Sequence, residues 1–75
     1  METKILEIIN SIRQTNGLPL LSSIQPADSL RDTLNFNSFD LAELTVRIED
    51  EFDIDIFEDG LVNTVGEIYS KLENK

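Results

Sequence analysis

The stretch ADSLRDTLNFNSFDLAELTVRIEDEF, residues 27–52, decides the fold, because a long helical period begins within it. Apolar residues recur there at intervals of three, four and four; they are Leu41, Leu44, Ile48 and Phe52. This spacing places them on one face of an α-helix. Asn37 precedes the period and suits an N-cap, while Asp40 suits the positive end of the helix dipole. The stretch therefore predicts a helix from Ser38 to about Phe52.

Two serines in this stretch are candidates for chemistry, and the helical register separates them. From Ser38, the offsets of three, six, ten and fourteen residues all fall on apolar residues, whereas from Ser29 only one of the four does. Ser38 is therefore predicted to open the helix, beside amide hydrogens without helical partners, where an attached or bound phosphate is favoured. A first-turn serine is more often a cap or a tolerated polar residue, so position alone leaves its role open. Ser29 is expected to serve only a turn.

Two further helices flank this one. The first is predicted from about Glu2 to Thr15, with Asn16-Gly17 as its stop, and the last opens at a Thr64–Glu67 capping box and ends near Glu73. Their apolar faces are Ile5, Ile8, Ile9 and Ile12 in the first, and Val65, Ile68, Tyr69 and Leu72 in the last. Tyr69 is expected to pack with its hydroxyl near water.

Residues 17–37 follow no single period and contain two prolines and several turn formers, so they predict a long loop. A loop of this length needs apolar residues that hold it against the helices. The candidates are Leu18, Leu20, Leu21, Ile24, Leu30 and Leu34. In the connector after residue 52, Ile54 and Ile56 are expected to point inward, and one helical turn is expected. The prediction is an all-α bundle of three main helices plus one short helix, forming a single domain over residues 1–75.

Composition excludes several classes of function. Fifteen acidic residues against six basic ones give a formal charge of −9, which repels nucleic acids and anionic lipids and attracts basic protein surfaces. The chain has no cysteine and no histidine, and no carboxylate pair stands in an obvious apolar pocket, so an enzyme that uses its own side chains is the weakest hypothesis. The motif DIDIFEDG breaks the order of a calcium-binding loop, so no metal site is predicted. Polar residues interrupt the apolar opening, so we expect a cytoplasmic monomer without membrane insertion.

The stretch LNFNSFDLAELTVRIEDEFDIDI, residues 34–56, resembles the core of the acyl carrier proteins. In that family a Gly-x-Asp-Ser-Leu motif opens the second helix, and a pattern ending in Glu-x-x-Phe closes it. Ser38 aligns with the serine that bears 4′-phosphopantetheine, Glu49 with the glutamate and Phe52 with the aromatic residue. The acidity, the long first loop and the NTVGEI opening of the last helix also fit. The chain departs from the motif at Asn35, Asn37 and Phe39, where the family favours Gly, Asp and Leu.

The resemblance implies a carrier whose side chains do no catalysis. A phosphopantetheinyl transferase would move the group from coenzyme A to Ser38, and its thiol would hold an acyl or aminoacyl group as a thioester. Enzymes with basic docking surfaces would load, elongate or transfer this cargo. The pathway stays open among fatty-acid, polyketide, peptide and specialised cell-surface biosynthesis, and Asn37 and Phe39 favour a specialised carrier.

The second helix would meet these partner enzymes, because apolar and acidic residues mix on one of its faces. The expected docking residues are Asn37, Phe39, Asp40, Ala42, Glu43, Val46, Glu49 and Asp50. Arg47 interrupts this acidic face and is expected to pair with Glu43 or Glu51, four residues away. The competing hypothesis is an adaptor or scaffold module that keeps the carrier fold and binds partners without being modified.

Overall fold

A computed structural model describes residues 2–58, 60 and 62–73. It contains three α-helices in the order α1 (Glu2–Thr15), α2 (Ser38–Phe52) and α3 (Val65–Glu73). Their bounds agree with the helices predicted from the apolar periods. Between described residues the only strand-like pairing is an isolated antiparallel bridge, Ser29 with Thr64. The fold is therefore a small helical bundle with a long loop between α1 and α2, as predicted.

The core forms where the three apolar faces meet. All four isoleucines of the α1 stripe are buried, as are Leu44 and Ile48 of α2, while Leu41 and Phe52 are partly buried beside them. The face of α3 contributes Val65, Ile68 and Leu72, with Tyr69 packed at the margin. Their burial confirms the predicted stripes. Burial of such side chains is also the main source of stability in a bundle of this size. No helix within the described ranges is long and apolar enough to cross a membrane.

Side chains of α1 hold the loop from one side. The amide of Asn10 pairs with the backbone of Leu21 in both directions, each hydrogen bond being 2.8 Å long. Arg13 is buried, and its guanidinium donates to the carbonyl of Pro19 at 3.0 Å and to that of Leu34 at 2.8 Å. A buried charged group needs such partners. These contacts explain how a segment without secondary structure stays ordered.

The start of α3 holds the loop from the other side. The amide of Val65 donates to the carbonyl of Asp28 at 3.0 Å, and the amide of Gly66 donates to that of Pro26 at 2.9 Å. A side chain at position 66 would place its Cβ 3.0 Å from the carbonyl oxygen of Pro26, so this close approach favours glycine. The loop therefore covers the first turn of α3.

The apolar residues of the loop differ in burial. Leu30 and Leu34 are fully buried, and Leu21 and Ile24 pack against the core. Leu20 is 60% exposed, so the prediction that it pins the loop was wrong. Phe36, which the sequence analysis did not single out, is buried instead.

The connector after α2 has no α-helix in its described part, where a short one was predicted. The amide of Asp53 makes the last helical hydrogen bond, to the carbonyl of Glu49, and its left-handed backbone at φ 59° ends α2. The side chain of Asp55 then accepts the amide of Phe57 at 2.9 Å and forms a local turn that competes with helix. Ile56 is fully buried and Ile54 partly buried, so their inward orientation is confirmed. Positions 59 and 61 lie outside the described residues.

Candidate functional site

Asn37 caps α2 as predicted. Its side-chain oxygen accepts the amide of Asp40 at 2.9 Å, and its own amide donates to the carboxylate of Asp40 at 3.0 Å. The two residues thus form a reciprocal capping box, which satisfies two backbone donors at once. This arrangement fixes where α2 begins and makes Ser38 its first residue.

Asp40 also connects α2 to the end of α1. The side-chain amide of Asn16 donates to the second oxygen of its carboxylate at 2.9 Å. Only 6% of Asp40 is exposed, so its carboxylate is used inside the protein. Asp40, one of the residues predicted to dock partners, therefore exposes little of its charge at the surface of α2, and its part in docking stays a prediction. Asn16 had been interpreted only as a helix stop, and no sequence pattern links it to a residue so distant in the chain.

The turn before the cap contains Asn35 in the left-handed conformation, at φ 60°. Residues other than glycine seldom adopt this conformation, and asparagine is among those that tolerate it best. Its neighbours Leu34 and Phe36 are both buried, so the chain must reverse between two anchored side chains. This gives a physical reason for the glycine that the acyl carrier motif favours here, and for asparagine as its replacement.

Ser38 lies exposed at the first position of α2. Within the described residues its hydroxyl forms no hydrogen bond, and neither its amide nor that of Phe39 meets an acceptor. The next two amides are satisfied, because that of Asp40 donates to the Asn37 side chain and that of Leu41 to the Asn37 carbonyl. The site thus combines a free hydroxyl with two free amide donors.

Ser29 is placed differently. Its hydroxyl oxygen accepts the amide of Asp32 at 3.1 Å, and its own amide donates to the hydroxyl of Thr33 at 3.1 Å. Its carbonyl accepts the amides of Thr33 and Leu34. Ser29 therefore organises a turn, which confirms the role expected for it.

A cleft of about 280 Å³ opens beside Ser38. Its lining residues come from the loop, from the start of α2 and from the connector: Arg31, Ser38, Leu41, Ala42 and Phe57. Three of these residues are apolar, and one is a cation. Neither Arg31 nor Phe57 was predicted to belong to the site, because only the fold brings their segments together.

The outer face of α2 carries most of the other residues expected to dock partners. Phe39 is 86% exposed and Val46 66% exposed, which is unusual for large apolar side chains. Ala42, Glu49 and Asp50 are exposed with them. On a helical projection these five residues share one side of α2. They form a mixed apolar and acidic surface beside Ser38, which we call the α2 face.

Glu43 lies at the margin of this face and is half-buried. Arg47 donates to its carboxylate with Nε at 2.9 Å and Nη2 at 2.8 Å, and it also donates to the hydroxyl of Ser11 at 3.0 Å. Pairing with Glu43 was one of the two predicted alternatives. The other, Glu51, pairs instead with Lys4 of α1 at 3.1 Å.

Among the described residues, Lys4 and Tyr69 have shifted pKa values, and neither residue lines the cleft. The hydrogen bond and charge of Glu51, with Glu7 adding, raise the pKa of Lys4. Burial raises the pKa of Tyr69, and the negative charge of Glu2 adds to this effect.

No group of three or more potential metal ligands occurs among residues 2–58, 60 and 62–73. The site consists of the Ser38 hydroxyl and two amides that have no partner among the described residues, together with the cleft and the α2 face.

Comparison with known proteins identifies one match. A family model described as a phosphopantetheine attachment site matches residues 4–72, which span nearly the whole chain. No curated protein and no solved structure matched the chain.

Proposed function

The chain belongs to the family of phosphopantetheine attachment sites, and on this premise we propose that Ser38 is the residue to which 4′-phosphopantetheine is attached. The free hydroxyl of Ser38 is the observation that supports this choice most directly, since the hydroxyl of Ser29 is already engaged in a turn. Ser38 also stands at the helix start predicted from the apolar register. The proposed function is that of an acyl carrier protein.

The residues around Ser38 fit such a group. The attached group begins with a phosphodiester, and the free amides of Ser38 and Phe39 point toward the end of the helix where a negative charge is stabilised. The neighbouring cleft offers room beside the hydroxyl. When bound, the group supplies a thiol that can hold an acyl or aminoacyl chain as a thioester.

The chain's own residues then have two tasks. The Asn37 and Asp40 capping box holds Ser38 at the helix start, where an enzyme can reach the hydroxyl from solvent. The α2 face presents apolar contacts and negative charge to partners. No side chain of this site is needed as an acid, a base or a nucleophile, so the catalysis is assigned to the partners.

Carrier domains of this family interact with partner enzymes. We assign to this chain a phosphopantetheinyl transferase and enzymes that load, elongate or transfer the cargo through basic docking surfaces. The proposed contact residues are Asn37, Phe39, Ala42, Glu43, Val46, Glu49 and Asp50. Charge pairs at such a surface are individually weak, about 0.2–1 kcal/mol, which suits rapid exchange between partners.

The exposed Phe39 next to the attachment residue favours a specialised carrier over the general carrier of fatty-acid synthesis. A large ring at this position would have to be accepted by every enzyme that docks beside Ser38. Loading assays with enzymes of fatty-acid, polyketide, peptide and cell-surface pathways would separate these cases. Equal loading by the fatty-acid enzymes would contradict the specialised role.

The attachment site is tested by intact-protein mass spectrometry after incubation with coenzyme A and a broad-specificity phosphopantetheinyl transferase. Wild type and Ser29→Ala are expected to gain the mass of one phosphopantetheine, and Ser38→Ala is expected to gain none. Ser29→Ala is the matched control, because it removes the same hydroxyl from the same region. A gain that persists in Ser38→Ala would show that another residue carries the group.

No gain in wild type with several transferases would favour the adaptor hypothesis. The exposed Phe39 and Val46 support partner binding under either hypothesis, since they need no modification to make contacts. An adaptor would bind its partners equally well after Ser38→Ala. A carrier would lose transfer of cargo in that variant while its fold stayed intact.

A further inference from the structure

Arg31 differs from three other cations of this acidic chain, which have partners within the protein. Lys4 pairs with Glu51 and Glu7, Arg47 pairs with Glu43, and Arg13 is buried against carbonyl oxygens. Arg31 is exposed and forms no ion pair or hydrogen bond through its side chain within the part of the chain that the structure describes. No described residue therefore competes for its guanidinium.

The backbone beside Arg31 is well anchored. Leu30, its neighbour, is fully buried, and the amide of Leu30 donates to the carbonyl of Asn63 at 2.9 Å. The turn organised by Ser29 encloses the following residues through the amides of Asp32 and Thr33. A cation on a fixed turn loses less entropy on binding than one on a mobile segment.

Arg31 also lines the same cleft as Ser38. The other walls of that cleft are the apolar side chains Leu41, Ala42 and Phe57. Apolar side chains lower the local dielectric constant, so opposite charges that meet beside them attract more strongly than in bulk water. The guanidinium, which has no partner among the described residues, and the attachment hydroxyl thus line the same open cleft.

From this juxtaposition we infer that Arg31 is a positioning residue for the phosphodiester joined to Ser38. The planar guanidinium donates two parallel hydrogen bonds to phosphate oxygens, a geometry that a lysine ammonium does not reproduce. The chain carries a formal charge of −9, so most of its surface repels a phosphodiester. Arg31 supplies the local positive charge that holds the group in the cleft. This inference rests on the proposed attachment at Ser38.

The experiment compares modified wild type with Arg31→Gln, Arg31→Lys and Lys71→Gln. Lys71→Gln removes the same charge from α3, at a residue that does not line the cleft, and is the matched control. Mass spectrometry first establishes that each sample carries the group, and circular dichroism establishes that each is folded. Phosphorus NMR then reports on the phosphodiester, and the side-chain NεH resonance of Arg31 is compared before and after modification.

In wild type the phosphorus resonance is expected to differ from that of the same protein unfolded in urea. Arg31→Gln should lose most of this difference, Arg31→Lys should keep part of it, and Lys71→Gln should keep all of it. Raising the salt concentration from about 0.01 M to about 1 M shortens the Debye length from about 30 Å to about 3 Å and should reduce the wild-type difference. The NεH resonance of Arg31 should shift on modification.

Two results would overturn the inference, and they are distinguishable. If wild type and Arg31→Gln carry the group with the same phosphorus resonance, Arg31 does not contact it, although the attachment at Ser38 stands. If wild type gains no phosphopantetheine, the proposed function fails and this inference fails with it. Because Arg31 is exposed and unpaired, its variants are expected to fold like wild type.

Discussion

The starts of α2 and α3 are both capped by polar side chains, yet only one of them is open. At α2, Asp40 of the capping box accepts a hydrogen bond from Asn16, and the first residue, Ser38, faces solvent. At α3, Thr64 caps the amide of Glu67 at 3.2 Å, but the loop covers the first turn and takes up its amides. A helix start can therefore host an added group only where the rest of the chain leaves its amides free.

The two starts also differ in what supports them. The α3 start is held by backbone hydrogen bonds and by apolar burial of the loop. The α2 start is held by three hydrogen bonds of the buried Asp40, two with Asn37 and one from Asn16, and its outer side stays exposed. Stability measurements on variants that remove one of these contacts at a time distinguish how the starts of α2 and α3 are held.

The largest effect is expected at the covered start, from Leu30→Ala. Leu30 is a fully buried loop residue, and truncation of such a residue costs about 2–5 kcal/mol of unfolding free energy. Leu20→Ala makes the same change at a loop residue that is 60% exposed and should alter stability by less than about 0.5 kcal/mol. Urea unfolding followed by circular dichroism measures both. Similar losses in the two variants would contradict the burial of the loop against α3.

At the open start, Asp40→Ala should cost about 1.5–3 kcal/mol, because hydrogen bonds to a charged group are lost and their donors are left unpaired. Asp50→Ala removes a carboxylate from an exposed position of the same helix and should change stability by less than about 0.5 kcal/mol. The same unfolding measurement compares them. A neutral Asp40→Ala would contradict the view that this carboxylate supports the start of α2.

A smaller effect is expected in the turn that leads into α2. Asn35→Val places a β-branched residue at φ 60° and should cost about 1–2 kcal/mol, since the left-handed conformation is strained for such residues. Asn35→Gly relieves that strain and should be neutral or mildly stabilising, which makes it the control. Equal stability of the two variants would show that the turn does not need a positive φ. The comparison tests whether the start of α2 depends on the backbone conformation of the turn that precedes it.

Local periodicity explains how much of this could be predicted. The three helices follow from apolar residues three and four positions apart, and Ser38 was separated from Ser29 by the same register. Both N-caps were also predictable, because their partners lie within one turn. These features depend on residues close in the chain.

The remaining features depend on residues that are distant in the chain. Burial of Asp40 follows from its contact with Asn16, which no local pattern reveals. The loop has no period, so the sequence could not separate exposed Leu20 from buried Phe36. The cleft was missed for the same reason, since Arg31 and Phe57 meet only after folding.

The guanidinium of Arg13 connects two distant points of the loop to α1 through hydrogen bonds. Because it binds the carbonyls of both Pro19 and Leu34, the residues between them form a segment whose two ends are fixed to α1. The entropic cost of fixing both ends of such a segment grows slowly, by about 0.6 kcal/mol for each doubling of its length. Insertions between the exposed Ser22 and Ser23 would lengthen the segment between Pro19 and Leu34 while Leu34 kept its place. The segment can therefore change in length without moving α2.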